Sequence, residues 1–233
     1  NFLARLGWRN LRKALASIGN GVFLLSRTLE QAVRLKKRGL IHEVVVSTED
    51  RGIRAKVAQG IGGTNVRLLD RPRRLATDKA SSIAVILHVI ETLYAEGVRP
   101  KTVVLLQVTS PLRRDKDVEA CLKRFAKGDV DSVVSVAGTH PPPEWMYRKN
   151  GALLGSPVVR MARKRRPSVA LNGAVYVSSV KHLSRRGFTQ GRCAVVEMPW
   201  GLSLDIDQPA DLALAQLIES NPHLRGRLER SPR

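Results

Sequence analysis

With 233 residues, 43% of them hydrophobic, the chain can bury one large core, and its two cysteines are too few for a small disulfide-stapled scaffold. No apolar run approaches the roughly 20 residues that cross a bilayer, and Asn1 to Asn20 alternate basic and apolar residues without the apolar centre of a signal peptide. The net charge of +20, from 40 Lys and Arg against 20 Asp and Glu, asks either for an anionic partner such as nucleic acid or a polyphosphate, or for a chain in which Arg is the default surface residue.

The second explanation suits most of the charge. Basic residues run from Arg5 to Arg233 with only modest clusters at 36–38 and 163–166, and an aromatic content of 4% leaves little for base stacking. Cys121 and Cys193 are far apart and lack metal-like spacing. Cys121 falls on the apolar face of a predicted helix, so it belongs to the core. The expectation is a soluble, cytoplasmic protein with no membrane partner.

In chain order, Leu24, Leu25, Thr28, Leu29, Ala32 and Val33 recur at helical spacing. Glu43 to Ser47 reads as a short buried strand ending in Thr48-Glu49-Asp50. A short helix around Ile53 and Val57 and a strand over Val66 to Leu69 follow. Ile83, Val85, Ile86, Val89, Ile90 and Leu93 make a helix with a broad apolar face, for which Ser81 or Ser82 is a natural N-cap. The run Val103-Val104-Leu105-Leu106 then reads as the buried centre of a sheet, breaking into Gln107, Thr109 and Ser110. Open α/β sheets bind ligands at such carboxyl ends, although a plain Ser-Pro turn would look the same. A helix carrying Val118, Cys121, Leu122 and Phe125 precedes a strand from Ser132 to Val136. The alternation predicts a parallel sheet with crossover helices.

After Gly138 the pattern breaks. His140-Pro141-Pro142-Pro143 suits neither a helix interior nor a central strand, and residues 144–167 form a basic excursion. Strand character returns at Val175 to Val177 and Ala194 to Val196. Ala210 to Leu217 makes a closing helix ended by Asn221-Pro222, with a polar, frayed tail expected beyond.

Three segments hold chemistry. Asp205 and Asp207, at i and i+2, share one side of an extended segment and make a hard-oxygen pair suited to Mg²⁺, while an acidic surface turn is the alternative. Asp211, one helical turn on, is better placed to cap the last helix. Asn172-Gly173 tolerates positive φ and predicts a turn, with Tyr176 placed to line a pocket beside the central strand. Arg71-Pro72 and Asp78 to Ser82 frame a loop that leads into a helix N-terminus, which either binds phosphate or is simply capped.

Five segments now stand in order: Val44 to Asp50, Arg71-Pro72 with Leu75-Ala76-Thr77-Asp78, Leu105 to Arg113, Asn172 to Tyr176, and Ser203 to Asp207. Together, over about 160 residues, they resemble the acylneuraminate cytidylyltransferases, or CMP-sialic acid synthetases, of the nucleotide-diphospho-sugar transferase superfamily. Bacterial relatives acting on legionaminic or pseudaminic acid look similar too, and deoxy-manno-octulosonate cytidylyltransferases less so. The resemblance implies an α/β fold: a Rossmann-like, mostly parallel sheet flanked by helices. It implies a single nucleotidyltransferase domain over 1–233, with 139–171 as an excursion used as a lid or dimer contact. It also implies a Mg²⁺-dependent homodimeric enzyme that joins CTP to a nine-carbon keto sugar acid, giving CMP-sugar and pyrophosphate.

Residue by residue, the resemblance makes Asp205 and Asp207 the metal pair, with Asp207 also catalytic. Gln107 lies between nucleotide and sugar, Arg71 contacts the nucleotide, and Ser82 matches one of two serines at the helix start while Ala80 replaces the other. Asn172 and Tyr176 fall on the sugar side. A catalytic Arg, which in the family reaches the neighbouring subunit's site, corresponds to Arg163 with a one-residue gap. In the opening loop Arg5 takes the place of a catalytic, nucleotide-binding Arg, and Arg9 replaces the first nucleotide-binding Lys.

That loop departs most from the family, whose pattern resembles Ala-Arg-Gly-Gly-Ser-Lys-Gly-Ile-Pro-Lys-Lys-Asn. Here Leu6-Gly7 stands for Gly-Gly, and the cytosine-reading Asn is lost or shifts to Asn10. Two alternatives therefore stand beside an active cytidylyltransferase: a weakened homologue that keeps fold and dimer, and a basic nucleic-acid-binding protein. The acidic pair and the sugar-side motifs disfavour the last.

Overall fold

The structure, a computed structural model, describes residues 13–61, 65–77, 80–139, 141–150, 153–158 and 168–230. Arg5, Arg9, Asn10, Asp78, His140 and Arg163 lie outside them.

A short antiparallel hairpin of β1 (Ser17–Gly19) and β2 (Val22–Phe23) leads into α1 (Leu24–Lys37). That helix buries Leu24, Leu25, Leu29, Ala32, Val33 and Leu35, the stripe its periodicity predicts. Arg34, Lys36 and Lys37 sit in its last turn, where cations meet the negative end of the helix dipole. The parallel pair β3 (Val45–Thr48) and β4 (Arg67–Asp70) is joined through α2 (Arg51–Ala58), which Asp50 caps by accepting from the Ile53 N–H at 2.7 Å. Ser81, rather than Ser82, caps α3 (Ser82–Ala95): its Oγ accepts from the Ala84 N–H at 3.1 Å.

Next come β5 (Thr102–Leu106), α4 (Asp115–Phe125), β6 (Ser132–Gly138), an antiparallel hairpin of β7 (Tyr147–Asn150) and β8 (Leu153–Pro157), and the long β9 (Val169–Ser179). After α5 (Val180–Arg186) and β10 (Cys193–Glu197), the chain closes with α6 (Pro209–Glu219) and α7 (Pro222–Glu229).

The central sheet has the order β10-β6-β9-β5. β10 runs parallel to β6, whereas β9 runs antiparallel to both β5 and β6, so the sheet is mixed. The connection explains the direction. A parallel return needs a crossover, usually helical, but β6 and β9 are linked through a hairpin excursion. β6, not β5, is the strand buried on both faces. Val133, Val134 and Val136 are each at most 2% exposed, whereas Thr102 of β5 is exposed and the rest of that strand half-buried. One face of the sheet packs Val133, Val175 and Val177 with Leu35, Val118 and Cys121; the other packs Val134 and Val136 with Ile90, Leu183 and Phe188. Cys121 is a core residue, and burial pushes its thiol up to about 12.

The tail expected to fray is instead the helix α7. Asn221 caps it through the Leu224 N–H at 3.0 Å and Pro222 takes its first position. Leu224 and Leu228, four residues apart, pack against Leu112, Leu202 and Ile218. Gly201 is what admits Leu228, because a Cβ there would lie 2.6 Å from its Cδ2. Among the described residues, no helix is long and apolar enough to cross a membrane.

Candidate active site

Three segments meet at the end of β5. Gln107 leaves that strand, Asn172-Gly173 is not the free turn expected but an irregularity inside β9 where its register with β6 shifts, and Ser203 to Asp207 runs into α6. Gly173 has φ of +74°, which suits glycine alone without strain. A Cβ there would stand 3.0 Å from Gln107 Oε1 and 3.6 Å from Asp205 Oδ2, so the three sequence segments converge on one point. The Ile206 N–H donates to the Thr109 carbonyl at 2.9 Å, which ties the acidic segment to the loop after β5. Ile206 is fully buried against Ile18 and Leu24, and this anchors the residues on either side of it.

Asp205 and Asp207 occupy different environments. Asp205 is half-buried, and its Oδ1 is buried without a hydrogen-bond partner. Burial pushes its carboxyl above the usual carboxylate value. Asp207 adds to that push, while a hydrogen bond from Thr109 and the charge of Lys13 oppose it. The side chain of Asp207 is 69% exposed and pairs with Lys13, whose Nζ donates to Oδ1 at 2.9 Å. Asp211 accepts from the Asp207 and Gln208 N–H groups at 2.9 and 2.7 Å, which leaves it capping α6 as expected and outside the pair.

Among the described residues, no group of three or more His, Cys, Asp or Glu side chains gathers around a point fit for a metal ion. A pair of carboxylates with one orphaned oxygen still fits Mg²⁺, which is commonly held by one or two carboxylates together with substrate phosphates and water.

Arg113, which sequence reasoning passed over, locks this arrangement. Its guanidinium donates to the carbonyls of Gln107 at 3.0 Å and Ala174 at 2.8 Å and to Gln31 Oε1 at 2.7 Å. It is 4% exposed, and burial pushes it down to about 10. The Leu-Arg that closes the run 105–113 was the available signal, and its role was invisible until the Ala174 carbonyl came within reach.

Asn172 points into the protein. Its carbonyl oxygen accepts from Ser135 Oγ at 2.6 Å and the Ala174 N–H at 3.2 Å, and its amide donates to Ser203 Oγ at 3.0 Å and Met198 Sδ at 3.3 Å. Those contacts use the side chain to hold the corner. Tyr176 lies on the face with Phe188, ring centroids 5.2 Å apart. Burial, and after it the charge of Asp205, push its phenol up.

A second polar corner forms where the parallel strands β3 and β4 end. The Arg71 N–H donates to the Thr48 carbonyl at 3.2 Å, and its guanidinium donates to the Ser47 carbonyl. Arg71 Nε lies 3.7 Å from Glu49 Oε2, and both atoms, with Ser47 Oγ, are buried without a hydrogen-bond partner. Buried polar atoms are ordinarily paired, so the two corners together hold donors and acceptors suited to a polar ligand. Ser82 is exposed in the first turn of α3. No hydrogen bond or ion pair among the described residues links Arg71 or Ser82 to the Gln107–Asp205 cluster.

The chain is similar to curated cytidylyltransferases. It is 28% identical over 222 residues to the N-acylneuraminate cytidylyltransferase of Escherichia coli O18:K1:H7, covering 93% of this chain and 50% of that protein. It is 27% identical over 226 residues to the CMP-N,N'-diacetyllegionaminic acid synthase of Legionella pneumophila, covering 94% of each. Thus it spans about half the length of the first and nearly all of the second. No protein-family model matches. Among solved structures, a CMP:2-keto-3-deoxy-manno-octonic acid synthetase complexed with CTP aligns with a TM-score of 0.61 at 16% identity, over 89% of this chain and 91% of that one. A 4-diphosphocytidyl-2C-methyl-D-erythritol synthase aligns at 0.64 and 14%, over 89% and 92%. The resemblance read from the five segments is borne out by these relatives, and the mixed α/β fold is that of the two solved synthases.

Proposed function

We propose that this protein is a cytidylyltransferase that joins CTP to a nonulosonic, sialic-type acid and releases pyrophosphate. The observation that supports it most is the convergence of Gln107, Gly173 and Asp205 at one point, from three of the segments that carry the resemblance, in a chain 27–28% identical to CMP-sugar synthases over more than nine-tenths of its length. The anomeric hydroxyl oxygen of the sugar acid forms a bond to the α-phosphorus of CTP. The bond from that phosphorus to the bridging oxygen breaks, its electron pair leaves with pyrophosphate, and the hydroxyl proton is lost.

Positioning and charge neutralisation do most of the work in such a transfer. Gln107 offers an amide donor and acceptor at the carboxyl end of β5, beside the acidic pair. The corner at Arg71 offers a guanidinium for an anionic nucleotide. Asp205 and Asp207 would hold a Mg²⁺ ion, which when bound neutralises phosphate charge and makes the sugar hydroxyl more acidic. The exposed Trp145, Met146, Tyr147 and Val158 around the β7–β8 hairpin suit a twofold contact between two copies of the chain.

Pyrophosphate release tests the reading. CTP, Mg²⁺ and a panel of nonulosonic acids are expected to give CMP-sugar detectable by mass spectrometry, and chelation or Asp207→Asn is expected to abolish it. CTP binding without turnover on any acid would instead identify a homologue that kept the fold and lost the chemistry.

A further inference from the structure

Lys13 lies just before β1, far in sequence from the acidic segment it meets. The Ala16 N–H donates to its carbonyl at 2.9 Å, turning the chain into the hairpin, and Ile18 packs on Ile206 between the two aspartates. The result is a nearly buried ammonium, its side chain 11% exposed, with Nζ 2.9 Å from Asp207 Oδ1. Its charge also reaches Asp205. One lysine therefore pairs directly with one of the two carboxylates that the proposed function assigns to a divalent cation, and acts on the other through its charge alone.

Resting on that reading of Asp205 and Asp207, we propose that Lys13 is a built-in counter-cation of the acidic pair. It holds the carboxylates in place in the metal-free protein, competes with a divalent cation for them, and is handed to the polyphosphate when nucleotide binds. A lysine suits the exchange. Its ammonium is a compact point charge on a flexible stem, able to move between anions, whereas an Arg fork would grip one carboxylate through two bonds. The pair is also weak enough to open. An ion pair with one exposed partner contributes up to about 1 kcal/mol, so a divalent cation can displace it, yet the lysine still raises the threshold for loading. A bound nucleotide brings its own negative charge, gives Lys13 another partner and so removes the competition.

Binding of Mn²⁺ alone, followed by electron paramagnetic resonance of the free ion, tests this without turnover. Lys13→Met is expected to tighten Mn²⁺ binding about fivefold, the equivalent of ~1 kcal/mol. Lys13→Arg, which keeps the charge, is expected to keep the weak wild-type affinity. With saturating CTP and no sugar acid, wild type and Lys13→Met are expected to agree within about twofold, because the competitor has moved. A Lys13→Met protein that binds Mn²⁺ no more tightly than wild type, while Asp207→Asn abolishes binding, overturns the role of Lys13 and leaves the metal pair standing. Mn²⁺ binding that ignores Asp207→Asn overturns the metal pair itself, and the inference with it. An advantage of Lys13→Met that persists with CTP overturns the hand-over. If Lys13→Met fails to fold, Lys13→Gln takes its place in the same titrations with the same expected outcomes.

Discussion

Asn172 and Asp205 both lie beside Gly173 and meet opposite fates. Asn172 is 7% exposed, and both ends of its amide are engaged within the protein. Asp205 keeps one buried oxygen without a partner. The difference separates support from chemistry. A satisfied buried network makes a corner rigid, whereas an orphaned oxygen makes a site costly until something binds. The resemblance placed Asn172 on the sugar side, but in the structure its side chain ties β9 to β6 through Ser135 and to the acidic segment through Ser203.

The comparison breaks most readily at Asn172. Asn172→Ala takes the acceptor from the Ala174 N–H, removes one bond each from Ser135 and Ser203, which keep Val175 and Pro199 as partners, and leaves a buried gap, together expected to cost about 3 kcal/mol. That corresponds to a fall in Tm of roughly 6–12 °C for a chain of this size. Asp205→Asn is expected to leave Tm unchanged or slightly raised, because it removes a charge that burial disfavours, and to abolish turnover. Calorimetry on the two variants decides: equal losses of Tm would erase the distinction between support and chemistry.

Gly173→Ala comes next. A side chain at φ of +74° and a Cβ 3.0 Å from Gln107 Oε1 are expected to cost about 2 kcal/mol together. Turnover should fall further than stability does, since Gln107 must shift to make room. A variant with normal kcat would show that the position of Gln107 is not critical. Arg71→Ala sharpens the second corner. Loss of one charged contact to a nucleotide is expected to weaken CTP binding about tenfold, equivalent to ~1.4 kcal/mol, by isothermal titration. Unchanged CTP affinity would mean that the guanidinium serves Ser47 and Glu49 alone.

Which parts were legible in the sequence follows from the range of the forces involved. Helices α1 to α4 and strands β3 to β6 rest on local periodicity and caps, so spacing alone located them. Gln107, Asn172 to Tyr176 and the aspartate pair were legible as short patterns because each combines a turn with a polar group. Lys13 was not, because its partner lies 194 residues away and nothing near it in sequence signals an acidic neighbour. Arg113 was hidden for the same reason, since its acceptors come from three separate elements. The antiparallel direction of β9 was not legible, because the strand-helix alternation that predicts a parallel sheet ends at Gly138 and a connection without a crossover helix reverses the strand that follows. The tail was misread although its signals were present, since Asn221-Pro222 begins a helix as naturally as it ends one.

The smallest effect concerns Asp115, a carboxylate that is satisfied like Asn172 but sits near the surface like Asp207. Arg34 donates to it at 3.0 and 3.1 Å and Gln31 at 3.0 Å, and these bonds, Arg34 first, hold its carboxyl below the ordinary value. The unfolded chain takes up a proton near the ordinary pKa of about 4, while the folded protein resists until lower pH. Stability from this contact is therefore fully present above about pH 4 and is lost as pH falls through the folded value. Solvent screens the pair, because the Arg34 side chain is 50% exposed, so the contribution is small and shrinks with salt. Tm measured between pH 2 and 6 is expected to fall less steeply on acidification in Asp115→Asn than in wild type, starting from a slightly lower plateau. Parallel curves would mean that Gln31 and Arg34 position the loop after β5 through geometry alone, with no contribution from the charge of Asp115.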